Sequence, residues 1–362
     1  RVLFALDHYA PPSSPKTIGF HDTVRSFAQQ HGATLTEMGE GVSHQIAVES
    51  GRALPGDLVV GADSHTVMCG ALNAFATGIG SSDLAATLMT GKVWLRVPES
   101  IKVILEGELP MGVSAKDVAL SLLSTIGGDG AAYRAIEFYG TGCGTLTIDD
   151  RLVLSNMSVE CGAKVGMFAA DDRAHAFLEG RAKRSYEAVD PDSDATYVDE
   201  VTIDLGALVP VVAQPHDPAN VALLDDVRDT PVHMVFLGTC TGGRVRDFHE
   251  ALEVLEAGGG VAAGVQLVVT PASSMVLREL ERDGTMKKLA GMGAVITPPG
   301  CGPCCGTSEP IPTDGMTVVS TANRNFKARM GNAGVSIFLA SPASCAAAAV
   351  HGRIVDPRAV GR

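Results

Sequence analysis

Short apolar, β-branched runs alternate with helix-length amphipathic segments almost from one end of the chain to the other. In the first third, residues 2–6 (VLFAL) read as a buried strand, 17–32 as a helix stopped by Gly32, and 57–65 (DLVVGADSH) as a strand running into a turn. After VPES at 97–100 the pattern restarts with a strand over 101–109, a helix over 114–128 and a strand over 134–140. The last third repeats it, with strands over 233–240, 265–270, 294–299 and 317–321, helices over 244–258 and 273–293, and an Ala-rich helix over 344–350. This alternation is how parallel sheets covered by helices are written, so the predicted class is α/β. Soft boundaries near 98 and 216 divide the chain into three α/β domains, 1–98, 99–216 and 217–362, and 362 residues are more than one hydrophobic core usually supports.

In open α/β sheets ligands bind beyond the carboxyl ends of the strands. Asp7, His8, Asp63, Ser64, His65, Cys240 and Cys301 all fall just past predicted strand ends. The first residues, RVLFALDHYAPP, begin without methionine and read as a strand cut into, with some N-terminal sequence absent.

Composition narrows the function. With 46% apolar and 19% charged residues the chain is built to bury surface. Apolar runs are broken well before the roughly 18 residues a membrane helix needs, so no membrane partner is expected. A net charge of −13 without a basic stripe argues against nucleic acid. An anionic substrate would have to be held by a few local arginines or a metal. Eight cysteines without a secretory signal suit a reducing compartment, the cytoplasm by default.

Cys301-Gly-Pro-Cys304 lies in a Gly/Pro loop that can aim two thiolates at one point. The pair alone is compatible with a structural zinc site, a thioredoxin-like redox pair or buried cysteines. Zinc would want four ligands, and Cys240 has no companion pair. A redox pair normally opens a helix, which Pro303, Gly306 and Pro310 disfavour. Three thiolates from two strand-end loops would instead bind three corners of a cubane cluster and leave the fourth iron open as a Lewis acid. Cys305 ranks below Cys301 and Cys304, because adjacent side chains in a tight loop diverge. Cys69, Cys143, Cys161 and Cys345 read as small core residues.

The segments LDH (6–8), SHQIAVES (43–50), GADSHTVMCGA (61–71), GTCTGGR (238–244), GCGPCCG (300–306) and STANRNFKARMGN (320–332) together resemble the signatures of the aconitase superfamily. FATGIGSSDLA, RVPESIKV, SNMSVECGAK and LASPASCAAAAVHGRIVDPR are most similar to the large subunits of 3-isopropylmalate dehydratase and homoaconitase. The resemblance runs from Asp7 to about Pro357. It implies three α/β domains around a [4Fe-4S] cluster held by Cys240, Cys301 and Cys304, without the fourth, swivelling domain of single-chain aconitases, and hence a separate small subunit that carries it. The implied reaction dehydrates a hydroxy-dicarboxylate and rehydrates it at the neighbouring carbon.

By the same resemblance Asp7 and His8 protonate the departing hydroxyl, a role that suits an imidazole oriented by a carboxylate. His44, Asp63, Ser64 and His65 line the pocket, Glu137 faces the cluster, and Asn323, Arg324 and Arg329 lie near cluster and substrate carboxylate, where a guanidinium fork suits the task. Taken singly, each has a plainer reading: His44 a core histidine, Asp63 an N-cap, Glu137 a charged strand end, the Asn-Arg run a solvated loop. The catalytic base, a serine, is implied to reside on the partner subunit. Two departures stand out: Gly242 replaces the family's Asn after Cys-Thr, and Ala328 a Gly. The substrate expected is 3-isopropylmalate, with homoaconitate and methyl- or dimethyl-substituted malates as alternatives. A cluster-free RNA-binding relative is the reading from another class, and the acidic charge weighs against it.

Overall fold

The computed structural model describes residues 1–361. Its internal packing separates two compact units: Arg1–Ile46 with Met111–Asp117 and everything from Val209 onward, and Ala47–Pro110 with Val118–Leu208.

The first unit is organised by a seven-stranded sheet with the order Val221–Leu223, Val211–Ala213, Ser336–Ala340, Thr317–Ser320, Met234–Gly238, Gln266–Thr270, Val295–Ile296. The last five strands run parallel, and the first two join antiparallel at the edge. Met234, Val235, Phe236 and Leu237 in the central strand are all buried, as expected of a parallel strand covered on both faces. Helix Val245–Ala257 buries Phe248, Ala251, Leu252 and Leu255, one stripe at helical spacing. The Ala-rich helix Pro342–His351 joins the same core through Cys345, Ala346, Ala348 and Ala349. In the same unit, strand Leu3–Ala5 pairs parallel with Thr34–Thr36. Helix Pro15–His31 connects them, started by a Ser14 capping box and stopped by left-handed Gly32.

The predicted helix over 273–293 is two helices, Ser274–Arg282 and Thr285–Gly291. The break is at Asp283-Gly284: Gly284 takes φ +86 and the Asp283 carboxylate accepts from the Thr285 amide, so a turn dipeptide overrides the apolar period.

The second unit holds a parallel four-stranded sheet, Val165–Phe168, Ala135–Tyr139, Ser100–Glu106 and Asp199–Asp204. Ile101, Val103 and Leu105 alternate inward along its third strand. A parallel pair, Leu58–Gly61 with Phe75–Gly78, is bridged by the buried 3₁₀ segment Ser64–Leu72. Among the described residues no helix is long and apolar enough to cross a membrane.

Candidate functional site

In the first unit, Asp7 and His8 follow strand Leu3–Ala5, Cys240 follows Met234–Gly238, Cys301 and Cys304 follow Val295–Ile296, and Asn323 follows Thr317–Ser320. Parallel strands place these residues at their carboxyl ends, where the sequence analysis puts them.

Cys240 sits in a single helical turn, Thr239–Gly242. Thr239 is fully buried with φ +71, an outlier for a β-branched residue, and it is pinned by its hydroxyl, which bonds Thr241 Oγ1 at 3.0 Å and accepts from the Thr241 amide. Thr241 in turn donates to the Thr321 carbonyl at 2.8 Å. Gly302–Cys305 form one 3₁₀ turn with Cys301 at its N-cap, a local helix that Pro303 does not prevent.

Asn323 joins the two thiol loops. Its Nδ2 donates to Cys240 Sγ at 3.3 Å and its Oδ1 accepts from Cys304 Sγ at 3.6 Å. The Cys301 thiol bonds to those of Cys304 and Cys305, and these neighbours with burial drive its pKa well above the ordinary thiol range. Cys240, Cys301 and Cys304 are 4, 8 and 1% exposed, so they meet in a water-poor pocket. Arg329 brings a cation to it: Nη2 lies 3.6 Å from Cys304 Sγ, while its buried Nε has no hydrogen-bond partner. Arg329, expected near cluster and substrate carboxylate, thus lies against a thiol of the loop.

His8 Nδ1 bonds Asp7 Oδ1 at 2.9 Å, and Asp7 Oδ2 accepts from the Ser43 amide at 2.8 Å. Burial would lower the His8 pKa, but the bonds to Asp7 and Cys305 outweigh it and raise it to about 12. The Cys305 thiol is held down to about 3, first by its bond to Cys301, against burial, and then by His8. Cys305 therefore diverges from Cys304 as expected and points to His8. His44 is buried and Arg324 half-buried. Asn325 is fully buried, its amide donating to Gln214 O and Ile337 O, so the Asn-Arg run is no solvated loop.

Three residues without an assigned role in the sequence support this loop system. Arg244, 1% exposed, donates to the Cys240 carbonyl through Nη2 and to Gln45 Oε1 through Nε at 3.3 Å. Lys116, 2% exposed, donates to Thr321 O and Ala322 O at 3.2 and 2.6 Å, fixing the approach to Asn323. The available signal was Arg244 lying four residues after Cys240, on the same side of a helical turn. Nothing local marked Gln45 or Lys116.

The second unit holds the remaining candidates. Asp63 caps the Ser64–Leu72 segment through the His65 amide, which is the plain N-cap reading. It also lies 3.4 Å from His65 Nδ1, while His65 Nε2 bonds Glu160 Oε1 at 2.9 Å, so the buried imidazole is held between two carboxylates. Glu160 was not singled out in the sequence. Glu137 accepts from Tyr139 O–H at 2.6 Å, and Tyr139 bonds Tyr197 at 2.8 Å. Cys69, Cys161 and Cys345 are core residues, and burial pushes the first two thiols up to about 12. Cys143 is half-buried and donates to Tyr139 O.

A parallel-sheet unit with clustered buried thiols beside a carboxylate–histidine pair is the class of protein that binds a thiolate-held metal centre next to a proton-transfer group. The family model described as the aconitase family (aconitate hydratase) matches residues 16–230 and 223–352. The chain belongs to the aconitase family. It is 45% identical over 359 residues to the 3-isopropylmalate dehydratase large subunit 2 of Archaeoglobus fulgidus, covering 99% of this chain and 86% of that one. It is 43% identical over 361 residues to the homoaconitase large subunit of Thermus thermophilus, covering 99% and 84%. The aconitase X structure from Thermococcus kodakaraensis matches with TM-score 0.55 and 13% identity over 90% of this chain and 75% of that one, a likeness of fold.

Proposed function

We propose that the chain is the large, cluster-carrying subunit of a hydro-lyase that interconverts 2- and 3-isopropylmalate, as in leucine synthesis, working with a small subunit that carries the swivelling domain. The observation that carries this reading is the meeting of Cys240 and Cys304 on the amide of Asn323, with Cys301 bonded to Cys304. The donor set fits a [4Fe-4S] cluster: three buried thiols for three corners, an amide and a guanidinium to offset thiolate charge, and an Asp–His pair in the same unit. When bound, the cluster supplies a Lewis acid at its corner without a protein ligand.

The chain's own residues do the rest. Asp7 fixes His8 so that one ring nitrogen can hand a proton to the leaving hydroxyl and take it back on rehydration. Arg324 offers a carboxylate fork, and Arg329 stabilises the Cys304 thiolate and with it the cluster. His44 helps exclude water from the pocket, and Ser64 contacts substrate. By the family resemblance His65, held between Asp63 and Glu160, is the second proton-handling group and Glu137 a further catalytic residue. The three-domain partition at 98 and 216 and a cytoplasmic location belong to the same reading, the latter supported by the free thiols.

Homoaconitate is the alternative substrate that a specific finding favours, since relatives of nearly equal identity carry either name. The test is anaerobic reconstitution of the chain, addition of the small subunit, and a panel of isopropylmalate, homoaconitate and methyl-substituted malates followed through absorbance of the unsaturated acid. Faster turnover of 3-isopropylmalate than of the other acids supports the reading. Preference for homoaconitate reassigns the substrate, and a chain that takes up iron without sulfide overturns the cluster.

A further inference from the structure

Cys305 is the one thiol of the GCGPCCG loop that the proposed cluster set leaves out, and it does not stand alone. A ring nitrogen of His8 and the sulfurs of Cys301 and Cys305 all lie within 4.8 Å of one another. That is the spacing of ligands around a single tetrahedral ion. The set is preorganised on both sides. Cys301 N–H donates to the Asp7 carbonyl at 3.4 Å, the His21 ring bonds the His8 carbonyl at 3.0 Å, and Cys305 Sγ contacts Thr307 Oγ1 at 3.0 Å. Asp7 holds His8 Nδ1, which fixes the tautomer and leaves Nε2 as the ligand nitrogen, the carboxylate–histidine–metal arrangement found around zinc. The His8 side chain is 34% exposed, so an ion has a way in and water can complete the coordination.

We propose that His8, Cys301 and Cys305 form a second metal site, for a borderline-soft divalent cation such as Zn²⁺, which shares Cys301 with the cluster set and so excludes the cluster. Two thiols and one imidazole match zinc in ligand type, and the harder Mg²⁺ and Ca²⁺ are refused. The ion binds both cysteines as thiolates and the imidazole as its neutral form, and whatever protons these groups carry leave to solvent. The site needs no cluster to exist; its exclusivity rests on the cluster assignment proposed above. A zinc-loaded chain is then a stored form, closed to cluster assembly until the ion is removed.

The test uses the full chain prepared cluster-free under anaerobic conditions and titrated with Co²⁺, whose thiolate charge-transfer and tetrahedral bands report the ligands. Wild-type protein is expected to take one Co²⁺ per chain and to lose it to equimolar Zn²⁺. Cys240→Ser keeps the cobalt spectrum unchanged, Cys305→Ser loses the thiolate band, and Asp7→Asn weakens binding by about 10- to 100-fold. Circular dichroism confirms that each variant is folded. Loss of the ion in Cys240→Ser with retention in Cys305→Ser would place the metal on the cluster cysteines and overturn the site, as would the lack of any stoichiometric band. For exclusivity, Zn²⁺ is added before reconstitution and the visible absorbance of the cluster is followed. Zinc stops its growth in wild type and not in Cys305→Ser. Unhindered growth in zinc-loaded wild type overturns exclusivity, whereas failure of both proteins to form a cluster without zinc overturns the cluster reading and leaves the cobalt result standing.

Discussion

Gly242 and Ala328, the two departures that the family resemblance marks, have opposite physical consequences. Gly242 looks like a lost amide, yet a Cβ built there would meet Thr321 Cβ at 2.3 Å and Oγ1 at 2.5 Å, and Thr321 Oγ1 is occupied by the Gly238 amide at 2.9 Å. Even Gly242→Ala therefore overpacks the Cys240 turn, with an expected loss of about 1–3 kcal/mol, read as a lower denaturation midpoint and faster loss of iron. An unchanged midpoint would show that the turn has room. Ala328 is the reverse case. It stands at φ +66, where a Cβ costs roughly 1–2 kcal/mol, while glycine's added freedom in the unfolded chain takes back roughly 0.5–1. Ala328→Gly is expected to raise stability by the remaining ~0.5–1 kcal/mol and to leave the cysteines untouched, measurable in urea unfolding; destabilisation would contradict the strain argument. From sequence both positions were visible as departures, but neither sign was, because the sign depends on what faces Gly242 and on the backbone angle at Ala328.

At the scale of elements, legibility followed locality. Strands 233–240, 265–270 and 317–321 and helix 244–258 were readable because each carries its own period and stop signals, and the structure places them at Met234–Gly238, Gln266–Thr270, Thr317–Ser320 and Val245–Ala257. The ligand residues past their ends were readable as loop chemistry. What could not be read was long-range: Lys116 reaching Thr321, Glu160 reaching His65, Asn323 between two thiols. Asp117 is the sharpest such case. Fully buried, it accepts from the Ser114 amide at 2.9 Å and from Val211 N at 3.0 Å, tying segment Met111–Asp117 to the antiparallel strand Val211–Ala213. Burial raises its pKa to about 7, against the pull of those donors and with a small push from Glu250. Between its ordinary value near 4 and about 7 the folded chain keeps a proton that the unfolded chain has released, so this group's contribution to stability falls as pH rises through that window and is flat above it. Asp117→Asn, which has no such proton, should be less stable throughout because its amide mismatches two N–H donors, but should lack this part of the slope. Thermal midpoints of both proteins from pH 4 to 8 decide it: a wild-type midpoint that rises relative to the variant over the window would mean that the donors, and not burial, set the pKa.

At the scale of the whole chain, charge and completeness bear on the same question. A protein of net charge −13 that handles a dianionic acid must gather positive charge locally. In the thiol-bearing unit the cations near the loops are already committed: Arg244 to the Cys240 carbonyl and Gln45, Lys116 to Thr321 and Ala322, Arg329 to Cys304. Arg324 is the proposed carboxylate fork in that unit, which is one fork for a substrate with two carboxylates. On the proposed reading the second fork and the base come from the small subunit that the large-subunit relatives imply. The expectation is that reconstituted chain by itself binds 3-isopropylmalate weakly and turns over none, that activity appears on adding the small subunit and saturates near one per chain, and that Arg324→Lys raises KM much more than it lowers kcat because a point charge replaces a bidentate contact. Steady-state kinetics over a titration of the small subunit measures all three. Full activity without the partner would show that the chain holds a second carboxylate site of its own, and a kcat loss in Arg324→Lys with KM unchanged would move Arg324 from holding the substrate to serving the reaction itself.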